Sequence, residues 1–482
     1  MTRLTSRRIF EASTVLLFLA AVIFQAFWPK PFGLADNGDF PKVLGRIGAW
    51  PPSADRGEEF TYFISDYDVD SGLIWDSHLF TTEVYFAKIA KSLDTLIAKP
   101  GHFDLRSLGL VHLCVFTLAF WLILRTYRLL PMSYSIALGA LTLLIFADVE
   151  YLEFLNTPLM DAASMTLLVL LAAVVLNLSL SNVKPKWTAI LAFGLCAAAF
   201  LGTKLQHQPC LVPLLLICAW GFVVADNRKI RSAWIVTGLI MVAVSAFMVV
   251  ETPAGFMAEP RFSLVFLKLT ALSSNPESAL SEIGRPASDK KYIGMHAYAP
   301  GTPLSNRQYR EQFWHDVGMK QILGFYLHHP IITSEILWSD LCKSGADIPV
   351  SEVPVGLSSK TYVTIGVYRK SDNPVGHQRP HGLAIWSTLR RFVAVHIPLL
   401  TPLVVLSALV WSGFTCYKYP RQARRAIPLF LLSCIAILSF LTGSLGDGVD
   451  TSRHMLTYQI AVDLIVLFSL RAFLQSRPPT RI

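Results

Sequence analysis

Ten apolar runs limit what this chain can fold into. They cover residues 9–28, 105–125, 132–148, 159–180, 187–203, 209–225, 232–250, 393–416, 425–442 and 456–474. A helix of about 20 predominantly apolar residues spans the hydrocarbon core of a bilayer, and it satisfies its own backbone hydrogen bonds there. The chain is therefore predicted to be an all-α polytopic membrane protein with about ten transmembrane helices. Composition agrees, since 53% of its 482 residues are hydrophobic and only 16% charged. The first run ends in Phe27-Trp28-Pro29 without a small-residue cleavage site, which marks it as a retained anchor.

The net charge of +9 could suggest nucleic acid, but its placement argues otherwise. Arg3, Arg7 and Arg8 precede the first run, Arg125 and Arg128 follow the second, and Lys184 and Lys186 follow the fourth. Arg228, Lys229 and Arg231 follow the sixth, Lys418, Arg421, Arg424 and Arg425 the eighth, and Arg471, Arg477 and Arg481 the last. Every second connection is basic, so the positive-inside rule places both termini in the cytoplasm. No nucleic-acid partner is expected; the bilayer is. The seven cysteines show no CxxC spacing, so neither a zinc site nor a disulfide framework is expected.

The opposite face receives the unusual segments. Residues 1–250 form an N-terminal transmembrane module whose first external connection, 29–104, carries Asp36-Asn37-Gly38-Asp39 and Asp66-Tyr67-Asp68-Val69-Asp70. Apolar residues at helical spacing from His78 to Ile97 predict an amphipathic helix along the membrane surface. Residues 251–392 are the one connection long enough for a mixed loop domain, with helices expected over Phe262–Leu272 and Gln321–Trp338 and a strand over Thr361–Tyr368. Residues 393–482 supply the C-terminal transmembrane helices.

The Asp36/Asp39 turn reads as a cation site or a general base, because Asn and Gly allow a bend that turns both carboxylates into one cavity. The same face collects Asp148, Glu150, Glu153, Asp161, Lys204, His207, Asp447, Asp450, Arg453 and His454. Lys204 and Arg453-His454 are cations on the side that usually lacks them. They suit a lipid-borne phosphate, or else they pair with the nearby acids or with phospholipid heads. Asp463 lies inside the last helix and needs a partner there. A carboxylate can take the proton of an attacking hydroxyl while cations stabilise a departing phosphate. A divalent metal ion could assist the same departure, although no ligand set demands one.

This order of parts resembles the GT-C class of polytopic glycosyltransferases. More narrowly, Leu34–Phe40, Lys204–His207, Phe325–Pro330 and Gly448…Arg453-His454 resemble bacterial glycan-biosynthesis hexose transferases of the WsfD type. The resemblance implies an inverting hexosyltransferase of the bacterial cytoplasmic membrane. It would use a polyprenyl-phosphate sugar donor and a cell-envelope glycan acceptor at an extracytoplasmic site. It implies a catalytic base in the first loop, Asp36 or Asp39 with Asp36 favoured, and an acid of the second connection. The candidate catalytic residues are thus Asp36, Asp39 and Glu150, and the candidate substrate-binding residues Lys204, His207, Arg453, His454 and Asp148. Two other readings stand beside it. One is a transporter or flippase of a glycan-linked lipid, which would favour two pseudo-symmetric halves; the other is a noncatalytic subunit of a glycan assembly complex.

Overall fold

The computed structural model describes residues 2–29, 31, 34, 40–52, 64–70, 72–74, 79–96, 100–180, 185–297, 299, 301–344, 383–449 and 451–476. Asp36, Asp39, Asp450 and the strand expected over 361–368 lie outside the described residues.

The chain opens with α1 (Thr2–Val22), which continues as a π-helical turn over Ile23–Phe27. The first long connection holds β1 (Ala49–Trp50), β2 (Asp66–Val69), α2 (Glu83–Asp94) and β3 (His102–Asp104). Its strands pair antiparallel in the order β1-β2-β3, with Tyr67 opposite Phe103 and both rings buried. Next come α3 (Leu105–Tyr127), α4 (Met132–Phe146), the short α5 (Val149–Leu152), α6 (Asp161–Leu180), α7 (Trp187–Leu201), α8 (Leu211–Val224) and α9 (Arg228–Glu251). The loop domain contributes α10 (Ala254–Ser263), α11 (Pro276–Glu282), α12 (Arg307–Asp316), α13 (Met319–His328) and α14 (Pro330–Lys343). The chain then runs through α15 (Ile385–His396), α16 (Leu400–Lys418), α17 (Pro420–Leu445), α18 (Thr451–His454) and α19 (Leu456–Ser476).

Eight described helices are long and apolar enough to cross a membrane, and α4 and α7 are shorter apolar helices. Each of these two has 15 residues, a rise of about 22 Å against a hydrocarbon core of about 30 Å. Their runs in the sequence are longer because the chain leaves the helix early. Asp148 turns away to cap α5, and α7 stops at Gly202 before a 3₁₀ stretch over Leu205–Cys210. The expected run 393–416 is likewise divided. Pro398 lacks an amide donor and disfavours helix at Ile397, so α15 ends at His396 and α16 starts afresh.

The most enclosed helices are α6 and α19, flanked by α3 and α17, while α16 lies at the rim. Helices in lipid gain little from burying apolar surface against each other, so close packing and polar cross-links hold the bundle. Phe18 stacks on Phe120 at 4.3 Å and meets Phe116 edge-on at 5.5 Å, tying α1 to α3. Asn177 donates to the Leu122 carbonyl at 2.9 Å, and Tyr127 shares a hydrogen bond with Thr142 at 2.8 Å. Each such bond contributes about 0.6–2 kcal/mol in a membrane.

The amphipathic stretch of the first connection forms α2, shorter than expected. Val84, Phe86, Ala87 and Ala90 are buried, whereas Tyr85, Ile89, Leu93 and Leu96 form an exposed apolar stripe. Glu83 anchors the helix: its carboxylate accepts from His112 of α3 at 2.8 Å and from the Ala163 amide of α6 at 2.9 Å.

Residues 262–336 enclose a second hydrophobic core around Phe262, Phe266, Leu280, Phe313 and Phe325. The helix expected over Phe262–Leu272 instead begins at Ala254 and winds into a π-helical stretch over Leu264–Leu269. That expected over Gln321–Trp338 is cut at His329 by Pro330 into α13 and α14. The domain seats on the last turn of α17. Lys268 donates to the Ser444 carbonyl and to Asp340, each at 2.9 Å, and Tyr326 donates to the Leu445 carbonyl at 3.1 Å.

Candidate active site

The connections facing the loop domain meet at one end of the bundle, where two buried ionic clusters form. The first centres on Asp161 at the start of α6. Lys204 Nζ donates to its Oδ1 at 2.6 Å, and Arg453 Nη1 lies 3.9 Å from its Oδ2. Lys204 comes from the turn after α7 and Arg453 from α18, so three distant parts of the chain converge on one carboxylate. All three side chains are buried. His207 shares a hydrogen bond with Ser164, one turn along α6, at 3.0 Å, and its ring stacks on Phe200 at 4.6 Å. His454 lies 3.3 Å from Asp447 Oδ2, and its carbonyl accepts from Gln206 at 2.9 Å. The structure therefore brings together four of the predicted substrate-binding residues: Lys204, His207, Arg453 and His454. Among the described residues, Asp161 Oδ2 and His207 Nδ1 are buried without a hydrogen-bond partner.

The second cluster takes Asp148 and Glu150. Asp148 caps α5 by accepting from the Glu150 amide at 3.0 Å, and it also accepts from the Ser387 amide at 2.9 Å. Burial raises its carboxyl above the ordinary value, against those hydrogen bonds, which lower it. Glu150 is paired with Arg390 of α15, and Arg391 approaches it at 3.6 Å. The same Arg390 guanidinium donates to Tyr151 Oη at 2.6 Å and lies 3.3 Å from Asp463, which also accepts from Tyr151. Burial opposes the Arg390 charge, but Tyr151, Glu150 and Asp463 outweigh it and hold the guanidinium protonated. Asp148 and Glu150 thus bind α15 to the bundle and stand in a different cluster from Lys204. Glu153 is buried nearby in sequence.

Arg390 did not emerge from sequence reasoning, although a signal existed. Arg390-Arg391 just before an apolar run is a basic pair in a connection that the alternating charge pattern expects to lack one, the same anomaly that marked Lys204 and Arg453. Among the described residues, no group of three or more His, Cys, Asp or Glu side chains is arranged to hold a metal ion.

A family model described as the YfdI N-terminal transmembrane domain matches residues 2–481. The chain belongs to that family. With its eight helices of spanning length, this YfdI-type chain is an integral membrane protein. The comparison with curated proteins finds no match. Three solved structures of an oligosaccharyltransferase from Archaeoglobus fulgidus overlap with it in part. One, tethered with an acceptor peptide containing the NVT sequon, shares 13% identity at a TM-score of 0.40 over 96% of this chain and 49% of that one. Another, named AglB and in complex with an inhibitory peptide and a dolichol-phosphate, shares 14% at 0.39 over 97% and 50%. The apo form shares 15% at 0.39 over 96% and 50%. The YfdI-type chain spans about half the length of these proteins.

Proposed function

We propose that this YfdI-type protein is an inverting GT-C glycosyltransferase that moves a hexose from a polyprenyl-phosphate donor to a cell-envelope glycan acceptor. The observation that carries the reading is the convergence of Lys204 and Arg453 on Asp161, at the bundle end that also seats the loop domain. Two buried cations on one carboxylate form a site that a phosphate can enter by competing for their hydrogen bonds. In this reading that end is extracytoplasmic, as the positive-inside pattern requires.

Asp36 is the general base, with Asp39 three residues further along the chain. It removes the proton of an acceptor hydroxyl as the oxygen attacks the anomeric carbon opposite the phosphate. The carbon–oxygen bond to the phosphate breaks, its electron pair leaves with the polyprenyl phosphate, and Lys204 and Arg453 stabilise that anion. A single displacement inverts the anomeric centre. His207 and His454 hold the walls of this site in place. Asp148 and Glu150, expected to bind substrate and to act in catalysis, also set the position of α15 beside it.

Donor saturation tests the phosphate role. Arg453→Ala and Lys204→Met should each raise the KM for a polyprenyl-phosphate hexose by about tenfold or more, the scale of one charge-assisted contact. Unaltered donor saturation in both variants overturns it.

A further inference from the structure

The other end of the bundle holds a cavity that the proposed reaction does not use. It lies between the last turns of α6 and α8 and the first turns of α9 and α17, with α7 closing one side. Its volume is 190 Å³, larger than the cavity of about 150 Å³ that stays dry in a protein interior and takes benzene. Val175, Phe193, Ile217, Trp220, Trp234 and Ile427 give it apolar and aromatic walls. Gly221 belongs to the same wall, and a Cβ there would stand 2.3 Å from the Trp234 ring. The absent side chain lets the Trp234 ring come this close to α8.

The mouth is polar. Arg424, Asp226, Asn227 and Ser179 line it, and Arg424 Nε donates to the Leu178 carbonyl at 2.9 Å, which fixes the guanidinium at the rim. Lys186, Arg228, Lys229, Arg231 and Arg425 adjoin these lining residues in the chain, and Asp226 is the single acid in the segments 185–186, 225–231 and 424–425. Arg231 donates to the Ala225 carbonyl at 3.1 Å, and Lys229 lies 5.0 Å over the Trp187 ring, so this basic rim is ordered by the fold. Val175 and Ser179 are 14 and 18 residues beyond Asp161 on α6, about 21–27 Å along the helix axis. The cavity is therefore separate from the Asp161 cluster.

From this geometry we propose that the cavity binds one anionic lipid, its chain against Trp220 and Trp234 and its phosphate at the Arg424 rim. Apolar and aromatic walls match the methylenes of a lipid chain, which makes dispersion contacts along them without burying a polar group. Basic pockets between transmembrane helices select anionic head groups. The proposal does not depend on the glycosyltransferase reading. A phospholipid and a polyprenyl phosphate share this chemistry, so both serve as probes.

The test uses the full-length protein, delipidated in detergent and titrated with phosphatidylglycerol, phosphatidylcholine or a short polyprenyl monophosphate, with bound lipid counted by native mass spectrometry. One phosphatidylglycerol or one polyprenyl phosphate should be retained in preference to phosphatidylcholine, and whichever binds tighter names the source. Arg424→Gln should reduce the preference about fivefold, the worth of one basic residue at an anionic head. Ile217→Trp should remove the retained lipid by filling the cavity. If Ile217→Trp fails to fold, the Arg424→Gln ratio still decides. Equal retention of anionic and zwitterionic lipid, unchanged in Arg424→Gln, overturns the proposal.

Discussion

Asp161 holds Lys204 at 2.6 Å with one carboxylate oxygen and faces Arg453 at 3.9 Å with the other. The two cations are thereby fixed at the bundle end where α6, the turn after α7 and α18 meet. Removing the acid takes from both cations the carboxylate they share, whereas removing Lys204 leaves Asp161 with Arg453. Asp161→Asn should therefore lower stability by about 3–5 kcal/mol, and Lys204→Met by clearly less. Thermal unfolding of the purified variants in detergent checks the order; equal losses would show that Arg453 does not share the carboxylate.

Arg390 carries the second cluster in the same way. Arg390→Met takes from Glu150 and Asp463 the guanidinium they share and should cost about 3–5 kcal/mol. Adding Glu150→Gln and Asp463→Asn to it should recover part of that loss. Chemical denaturation of the single and triple variants measures both, and a triple variant no more stable than Arg390→Met would contradict the pairing.

A lone glycine sets how closely the loop domain sits. A Cβ at Gly448 would lie 2.2 Å from the Ser263 carbonyl oxygen and 2.8 Å from the Leu264 amide nitrogen, both backbone atoms. Gly448→Ala must push α10 away and should cost about 1–3 kcal/mol, the usual penalty of overpacking. Hydrogen exchange should rise in 319–343, because Tyr326 and Lys268 dock on the last turn of α17, just before Gly448. Unchanged exchange there would mean that the domain holds its seat without this contact.

Glu282 joins α11 to the α13–α14 break, accepting from His329 at 2.7 Å and from His328 at 2.8 Å. The His329 hydrogen bond holds the Glu282 carboxyl below its ordinary value of 4.5; burial opposes the shift and His328 adds to it. A carboxyl depressed in the folded state stabilises the fold above the unfolded value and loses that contribution as pH falls through the folded one. Wild-type protein should thus exceed Glu282→Gln in melting temperature above about pH 4.5, and the gap should close as pH falls below it. A gap that persists unchanged at pH 3 would contradict the linkage.

How much of this was legible depended on what each residue advertises. Apolar runs announce themselves, because a bilayer demands length and composition together, and the ten runs became eight spanning helices and two shorter ones. Helix ends were less legible. Pro398 and Pro330 split runs that hydropathy alone joins, and Asp148 leaves the run after α4 to cap α5 through the Glu150 amide. Lys204, His207, Arg453 and His454 stood out as polar groups out of place, and the fold draws them together. Glu150 and Asp148 stood out for the same reason yet pair with Arg390 and Ser387, more than 230 residues away in the chain. Spacing carries no information about such distant partners.

The most direct measurement is hexose transfer by the purified protein in nanodiscs, from a labelled polyprenyl-phosphate hexose to an envelope glycan acceptor. Wild-type protein should transfer the sugar with inversion, while Asp36→Asn, at equal protein level and equal melting temperature, should transfer none. Unchanged transfer in both Asp36→Asn and Asp39→Asn would contradict the account.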